Sequence, residues 1–310
     1  MRAWVPYTSV EEAYARVGRH EGVELTMLDD PRGLEATANE VELVALPNFT
    51  AIQVWGELER LDKPALRVVQ LGSAGYEHML GLVREGVSIA NAAGVHDAGT
   101  AELAVALALA NLRGLDTFAR QQQTHTWSPS FGTSLADKRI LIFGYGHIGA
   151  AVERRVAGFD PADVVRVARS ARTEPAPVHA AGDLPDLLPE ADVVFITAPA
   201  THDTVGAFNA RTLSLLHDGA LVVNVGRGKI MDTDAVIAEA GRLRFALDVV
   251  EPEPLPSDSP LWDAPGVTIA PHVGGANDSA PVRYDRLIAR QLAHLAAGER
   301  FDNIVWGPLS

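Results

Sequence analysis

The stretch "RILIFGYGHIGAAVERRVAGF", residues 139–159, constrains the fold more than any other part of the 310-residue chain. An apolar strand pattern runs directly into G-x-G-x-x-G, and an amphipathic helix pattern follows without a break. Gly144 permits a tight turn, Gly146 leaves the backbone open to close approach from outside, and Gly149 lets the helix sit near the strand. A helix beginning at such a turn directs free N–H groups and a positive dipole end outward, an arrangement that holds phosphate oxygens. The segment is therefore expected to open a parallel sheet, with Gly144, Tyr145, Gly146, His147, Ile148 and Gly149 lying along a bound dinucleotide. A P-loop is excluded: no G-x-x-x-x-G-K-[ST] occurs, and "GRGK" at 226–229 has the wrong spacing.

The same alternation of short apolar runs and helical patterns fills most of the chain. "RAWVPY", "VELTML", "VELVALP", "LRVVQLG" and "VSIANA" read as strands of one α/β series. A long helix is expected from about Asp97 to Gln123, followed by the irregular connection "THTWSPSFGTSLADK". A second series follows: "RILIFG", "VVRVAR", "DVVFITAP", "ALVVNVG", "FALDVV" and "VTIAP", whose continuous β-branched character suits strands covered on both faces. "DSAPVRYDRLIARQLAHLAAG" reads as one amphipathic helix with Asp278 or Ser279 as its cap. Two units result, residues 1–94 and 95–276; pattern alone leaves open which of them the last helix joins.

Composition narrows the partners. With 26 Lys and Arg against 40 Asp and Glu, the formal charge is −14, which repels nucleic acid and anionic membrane surfaces. There is no cysteine, so disulfides, thiolate nucleophiles and Cys-ligated metals are excluded. No histidine pair has zinc-helix spacing, and no metal is expected. The N-terminus has no apolar signal core, and the longest apolar run, "AELAVALALANL", is too short to span a bilayer and contains Glu102. A cytoplasmic protein is expected.

Ligands of open α/β sheets lie at the carboxyl ends of the strands. In the second unit "LVVNVG" ends at Arg227, "FALDVV" leads to Glu251 and Glu253, and "VTIAP" ends at His272, followed by Gly274 and Gly275. An Arg, a carboxylate and a His at one edge suit hydride transfer to a carbonyl. The imidazolium supplies the proton, the carboxylate orients the ring, and the guanidinium binds a substrate carboxylate at two points. Either glutamate meets the need for a carboxylate on this ground. The segment "VVRVARSART", residues 164–173, stands where a dinucleotide fold usually carries an acid on the adenosine ribose. Arg169, Ser170 and Arg172 offer charge and donors there instead, which favours a ribose 2′-phosphate.

"LADKRILIFGYGHIG", "VVFITAPATHDT", "LVVNVGRG", "ALDVVEPEPLPSDSPLW" and "VTIAPHVGG", in this order, resemble the signatures of the D-isomer-specific 2-hydroxyacid dehydrogenase family, closest to its glyoxylate/hydroxypyruvate reductase branch. The resemblance implies an α/β fold of two Rossmann-like and flavodoxin-like parallel-sheet domains with an active-site cleft between them. Residues 1–94 plus 277–310 would be the substrate-binding domain and residues 95–276 the dinucleotide-binding one. It implies Arg227 as substrate-binding residue, Glu253 as the partner carboxylate and His272 as the acid/base. It also implies Asp248 at the nicotinamide amide and Pro199, Thr204, Val225 and Gly274 along the cofactor. In "QLGSAGYEHM", Ala74 and Gly75 would receive the substrate carboxylate through backbone N–H groups. NADP(H) is the expected cofactor, with NAD(H) also admitted. A small 2-oxo or 2-hydroxy acid is the expected substrate, in a homodimer to which the 97–123 helix contributes.

A glutamate at position 253 argues against the formate dehydrogenase branch, which the family resemblance endows with glutamine there. With the sequence running to Ser310, an appended regulatory domain of the kind some phosphoglycerate dehydrogenases carry is not expected. Two alternatives share the fold. One is a dehydrogenase for a bulkier acid, with Phe49, Trp55, Tyr76, Trp127 and Trp262 shaping its pocket. The other is a nucleotide-sensing, co-repressor-like binding protein.

Overall fold

The computed structural model describes residues 1–309, which form two α/β units: Met1–His96 with Asp278 onward, and Asp97–Asn277. The strands in chain order are β1 (Arg2–Val5), β2 (Glu24–Met27), β3 (Val41–Ala45), β4 (Val68–Gln70), β5 (Ser88–Ala90), β6 (Arg139–Phe143), β7 (Asp163–Ala168), β8 (His179–Ala180), β9 (Val193–Ile196), β10 (Leu221–Asn224), β11 (Arg244–Leu247), β12 (Val267–Ile269) and β13 (Ile304–Trp306).

In the first unit the described strands lie in the order β13-β5-β4-β3-β1-β2, parallel except for β13, which runs antiparallel to β5. Without that edge strand this is the flavodoxin-like order 2-1-3-4-5. Alternate residues go to opposite faces. Trp4, Val44, Val69 and Ile89 pack on one face, and Ala3, Val5, Leu43 and Val68 on the other. Against the second set lie Ile288, Leu292 and Leu295 of the helix Ser279–Ala297, so the last helix belongs to this unit. Its spacing of apolar residues, four and three apart, is the stripe that a helix needs to lie on a sheet. Asp278, one of the two residues expected as its cap, stands at the N-cap position without a side-chain capping bond. The strand β13 was not legible in the sequence; "IVW" is too short to stand out as a strand.

In the second unit the order is β8-β7-β6-β9-β10-β11-β12, and all pairings are parallel. This is the Rossmann order 3-2-1-4-5-6 with one further strand. The chain leaves β6 toward one edge and returns at β9 on its other side, so the crevice of this sheet opens at the carboxyl ends of β6 and β9. Leu141, Phe143, Val194 and Ile196 fill the core on one face, and Ile140, Ile142, Val193 and Phe195 on the other.

The helix expected over residues 97–123 is two helices, Asp97–Arg113 and Leu115–Gln123. Gly114 separates them at φ +65°, a left-handed conformation that breaks the ladder and that glycine adopts without penalty from a Cβ. The first of the two is buried along Ala101, Ala104, Val105, Ala108 and Leu112, whereas the second buries no residue. No described helix is long and apolar enough to cross a membrane.

Candidate active site

The carboxyl end of β10 carries Arg227. Asn224, the last residue of the strand, is fully buried. Its Oδ1 accepts the Gly226 N–H at 3.0 Å, and its Nδ2 donates to the Arg227 carbonyl at 3.1 Å. One buried amide thus clamps both sides of the turn that presents the guanidinium. Arg227 itself is half-buried and donates from Nη1 to the Gly226 carbonyl at 2.7 Å. The flanking glycines are required by space. A Cβ on Gly226 would come within 2.6 Å of the Ala198 carbonyl oxygen, and one on Gly228 would overlap the Val250 backbone. Asn224 was not singled out from the sequence; its signal is a lone amide ending the otherwise apolar "LVVN".

The ends of β11 and β12 bring Glu253 and His272 together. His272 Nδ1 donates to Glu253 Oε2 at 2.8 Å, and Glu253 Oε1 accepts the Val250 N–H at 3.1 Å. The carboxylate is therefore held by its own loop while it orients the imidazole. That leaves Nε2 for another partner, and the ring remains 53% exposed. Of the two glutamates, the structure pairs Glu253 with the histidine; Glu251 lends only its backbone carbonyl, to the Thr233 hydroxyl at 2.8 Å.

His272 has φ +53°, an uncommon conformation for a residue with a side chain. Three successive N–H groups hold it there. His272 N–H donates to the Asp248 carbonyl at 2.8 Å, Val273 N–H to Asp248 Oδ1 at 2.7 Å, and Gly274 N–H to Oδ2 at 2.9 Å. Asp248 is buried, and burial pushes its carboxyl above the usual range while those two N–H bonds oppose the rise. Gly274 must be glycine, since a Cβ would approach Oδ2 to 2.9 Å. Besides the cofactor contact expected of it, Asp248 thus shapes the turn that aims His272.

At the crevice between β6 and β9 the three fingerprint glycines have separate reasons. A Cβ on Gly144, at φ +100°, would overlap the Ala198 backbone, and one on Gly149 would lie 2.9 Å from the Gly144 carbonyl oxygen. A Cβ on Gly146 would meet only that same oxygen, at 4.0 Å, and otherwise open space. The bare face of Gly146 and the start of the ten-residue helix His147–Val156 fit a dinucleotide pyrophosphate. Thr204 donates to the Pro199 carbonyl at 2.6 Å and accepts the Thr201 N–H at 2.8 Å, which closes the loop after β9. Val225 is buried and bonds from its N–H to the Ile196 carbonyl at 3.0 Å. Ile148 is half-buried, and the exposed His147 lies 3.6 Å from Asp97.

The strand β7 ends at Ala168, in register with β6, so Arg169 is the first residue past it. Arg169 and Ser170 are exposed. Arg172 folds back: it donates to the Tyr145 carbonyl at 3.2 Å, with its guanidinium 5.7 Å from the centre of the Tyr145 ring. The Tyr145 hydroxyl bonds to Glu153, which also accepts from Arg166 Nε at 3.0 Å. Burial works against the Glu153 charge, but the Arg166 and Tyr145 bonds hold its carboxyl below the usual range. This brace beneath Tyr145 was not foreseen from the sequence.

In the first unit, Ala74 and Gly75 lie in the loop after β4. Every carbonyl from Gly72 to Gly75 has a donor: His96 Nε2 at 2.6 Å, the Ala92 N–H at 2.8 Å, Asn91 Nδ2 at 2.7 Å and the Ser73 hydroxyl at 2.7 Å, in that order. Among the described residues none accepts from the N–H groups of Gly72, Ser73, Ala74 or Gly75. The next N–H, of Tyr76, is taken by Glu77 at 3.0 Å. Consecutive N–H groups without a protein acceptor, at a bend whose carbonyls are all held, are donors available to an anion.

The aromatics proposed for a bulkier pocket scatter. Trp55 is a core residue whose Nε1 donates to the Leu82 carbonyl at 3.1 Å, which corrects its assignment to a pocket. Tyr76 packs on the same core, while Phe49, Trp127 and Trp262 are exposed.

Residues 105–274 match the family described as D-isomer specific 2-hydroxyacid dehydrogenase, NAD binding domain. The chain is 30% identical over 307 residues to a glyoxylate reductase of Pyrococcus horikoshii, covering 89% of this chain and 90% of that protein. It is 34% identical to glyoxylate/hydroxypyruvate reductase B of Pectobacterium carotovorum, covering 84% and 91%. An NADPH-dependent glyoxylate/hydroxypyruvate reductase of Sinorhizobium meliloti, solved in complex with NADP and sulfate, superposes with a TM-score of 0.79 at 25% identity, over 98% of both chains.

Proposed function

Because the chain belongs to the D-isomer specific 2-hydroxyacid dehydrogenase family, we propose that it reduces a small 2-oxo acid, of the glyoxylate or hydroxypyruvate kind, to the D-2-hydroxy acid, with NADPH preferred over NADH. The observation that carries this reading is the His272–Glu253 pair at 2.8 Å, at the same sheet edge as the clamped Arg227 turn.

A bound nicotinamide supplies the hydride. Arg227 binds the substrate carboxylate in a planar, two-point contact and polarises the neighbouring carbonyl. His272, its Nδ1 committed to Glu253, gives the proton from Nε2 to the carbonyl oxygen as negative charge develops there. Glu253 holds the ring through Nδ1 and so keeps Nε2 as the nitrogen that serves the substrate. Asp248 and Asn224 act through backbone, fixing the turns of His272 and Arg227. Ala74 and Gly75, on the substrate-binding domain, receive the acid's carboxylate.

Preference for NADPH is supported by Arg169, Ser170 and Arg172 at the end of β7 and by the NADP bound to the Sinorhizobium reductase. A carboxylate at this place would repel a 2′-phosphate, and guanidinium groups attract it. A homodimer is supported by the exposed apolar residues Phe118, Trp127 and Phe131, which the helix Leu115–Gln123 and its following loop carry. The cytoplasm is the compartment that goes with this activity.

The test is a panel of 2-oxo acids, from glyoxylate to branched and aromatic ones, each run with NADH and NADPH. Highest kcat/KM for glyoxylate or hydroxypyruvate with NADPH supports the reading. A maximum at a bulky acid selects the other dehydrogenase reading. Cofactor binding with no turnover across the panel would sink the enzyme and leave a nucleotide-sensing protein.

A further inference from the structure

A trans peptide holds its C=O and the following N–H in one plane, pointing in opposite directions. Whatever grips the carbonyl of one residue therefore aims the N–H of the next. In the loop after β4 the Ser73 carbonyl is held by a backbone donor, Ala92, which aims the Ala74 N–H. The planes on either side are held by side chains. His96 grips the Gly72 carbonyl and so aims the Ser73 N–H, and Asn91 grips the Ala74 carbonyl and so aims the Gly75 N–H.

Both side chains are fastened. Asn91 Oδ1 accepts the Ala93 N–H at 3.1 Å, which fixes which end of the amide faces Ala74. His96 is 7% exposed, and its Nδ1 is buried with no partner. An apolar residue would fill that space without stranding a nitrogen, so the imidazole's benefit lies in the Gly72 bond. Position 72 has to be glycine for the loop to pass here, because a Cβ would come within 2.6 Å of the Asn48 backbone nitrogen.

We propose that the carboxylate nest has three donors, the N–H groups of Ser73, Ala74 and Gly75, and that His96 and Asn91 are its positioning residues. This rests on the reading that Ala74 and Gly75 receive the substrate carboxylate, and adds Ser73 to them. Ser73 then has two tasks: its N–H faces the anion while its hydroxyl ties off the Gly75 carbonyl. Glu77 ends the nest by occupying the Tyr76 N–H.

The experiment uses the whole enzyme with glyoxylate and its uncharged amide as competing probes, NADPH binding by titration, and thermal melting as a control. His96→Leu and Asn91→Leu are each expected to raise KM for glyoxylate about tenfold, the scale of a weakened bond to a charged group. NADPH affinity should stay within about twofold, since a 1.4 kcal/mol loss confined to the nest is tenfold at the nest alone. His96→Gln, which keeps an N–H donor, is expected to recover most of the loss. Wild-type KM in both leucine variants overturns the proposal. So does a parallel loss of glyoxylate binding, NADPH binding and melting temperature that His96→Gln does not rescue. If the wild-type enzyme binds the amide as well as the acid, the carboxylate reading itself fails. If it discriminates and the variants discriminate equally, only the positioning role of His96 and Asn91 fails.

Discussion

Two strand ends of the second sheet present charged side chains in opposite ways. At β10–β12, Arg227 and His272 stand on turns held from below by the buried Asn224 and Asp248 through four bonds to backbone of 2.7–3.1 Å. At β7, Arg169 is exposed, and Arg172 rests on Tyr145 at the surface. Groups that must meet a transition state within fractions of an ångström need buried posts, because misplacement there is costly. Groups that only have to attract a phosphate need charge within reach. The catalytic end should therefore be brittle to substitution and the cofactor end tolerant and tunable.

The largest expected effect sharpens the first half of that contrast. His272→Ala should lower kcat by at least ~100-fold while leaving NADPH affinity unchanged in a fluorescence titration. Near-normal turnover would remove His272 from the chemistry. Next, Arg227→Lys should reduce kcat/KM for glyoxylate by roughly 30-fold, the loss of a two-point charged contact. Asn224→Leu should approach the same figure without touching the substrate. Their double variant should be clearly less than additive, because both disturb one turn. Full additivity in a double-mutant cycle would separate Asn224 from Arg227.

Smaller effects are expected at β7. Arg169→Asp should lower the NADPH-to-NADH ratio of kcat/KM by about tenfold, as a carboxylate replaces a cation beside a 2′-phosphate. Little change in melting temperature should accompany it, because the residue is exposed. Tyr145→Leu should shift that ratio only about threefold, the worth of one exposed cation–π contact. A larger loss from Tyr145→Leu than from Arg169→Asp would mean that the β7 end is braced as firmly as the catalytic end, and the contrast would fall.

Much of this was legible in the chain. The fingerprint glycines, with Arg227, Glu253 and His272, could be placed because parallel strands announce themselves as short β-branched runs and their carboxyl ends follow from polarity alone. Less legible were residues whose task is to hold backbone. Asn224 and Asn91 look like residues at strand ends, His96 like a hinge residue beside a pocket, and Glu153 and Arg166 like a solvated helix and strand face. Asn91 and His96 grip carbonyls 17 and 24 residues away and Glu153 pairs with Arg166 of another element, which no local spacing encodes, whereas Asn224 holds backbone only two and three residues on.

Length of helix and choice of glutamate show the same division. Residues 97–123 read as one helix because Gly114 sits inside a continuous helical pattern, and only the fold reveals its left-handed φ. "EPEP" offers two carboxylates that spacing leaves open; the family resemblance favours Glu253, and the loop path brings it to His272. By itself the sequence determined the residue types, the two sheets and the edge at which Arg227, Glu253 and His272 stand, because periodicity and glycine spacing are local properties of a chain. Which carbonyl is held, which N–H is left free and which turn is clamped were decided by the tertiary structure, because hydrogen-bond partners distant in sequence meet only once the strands are in register.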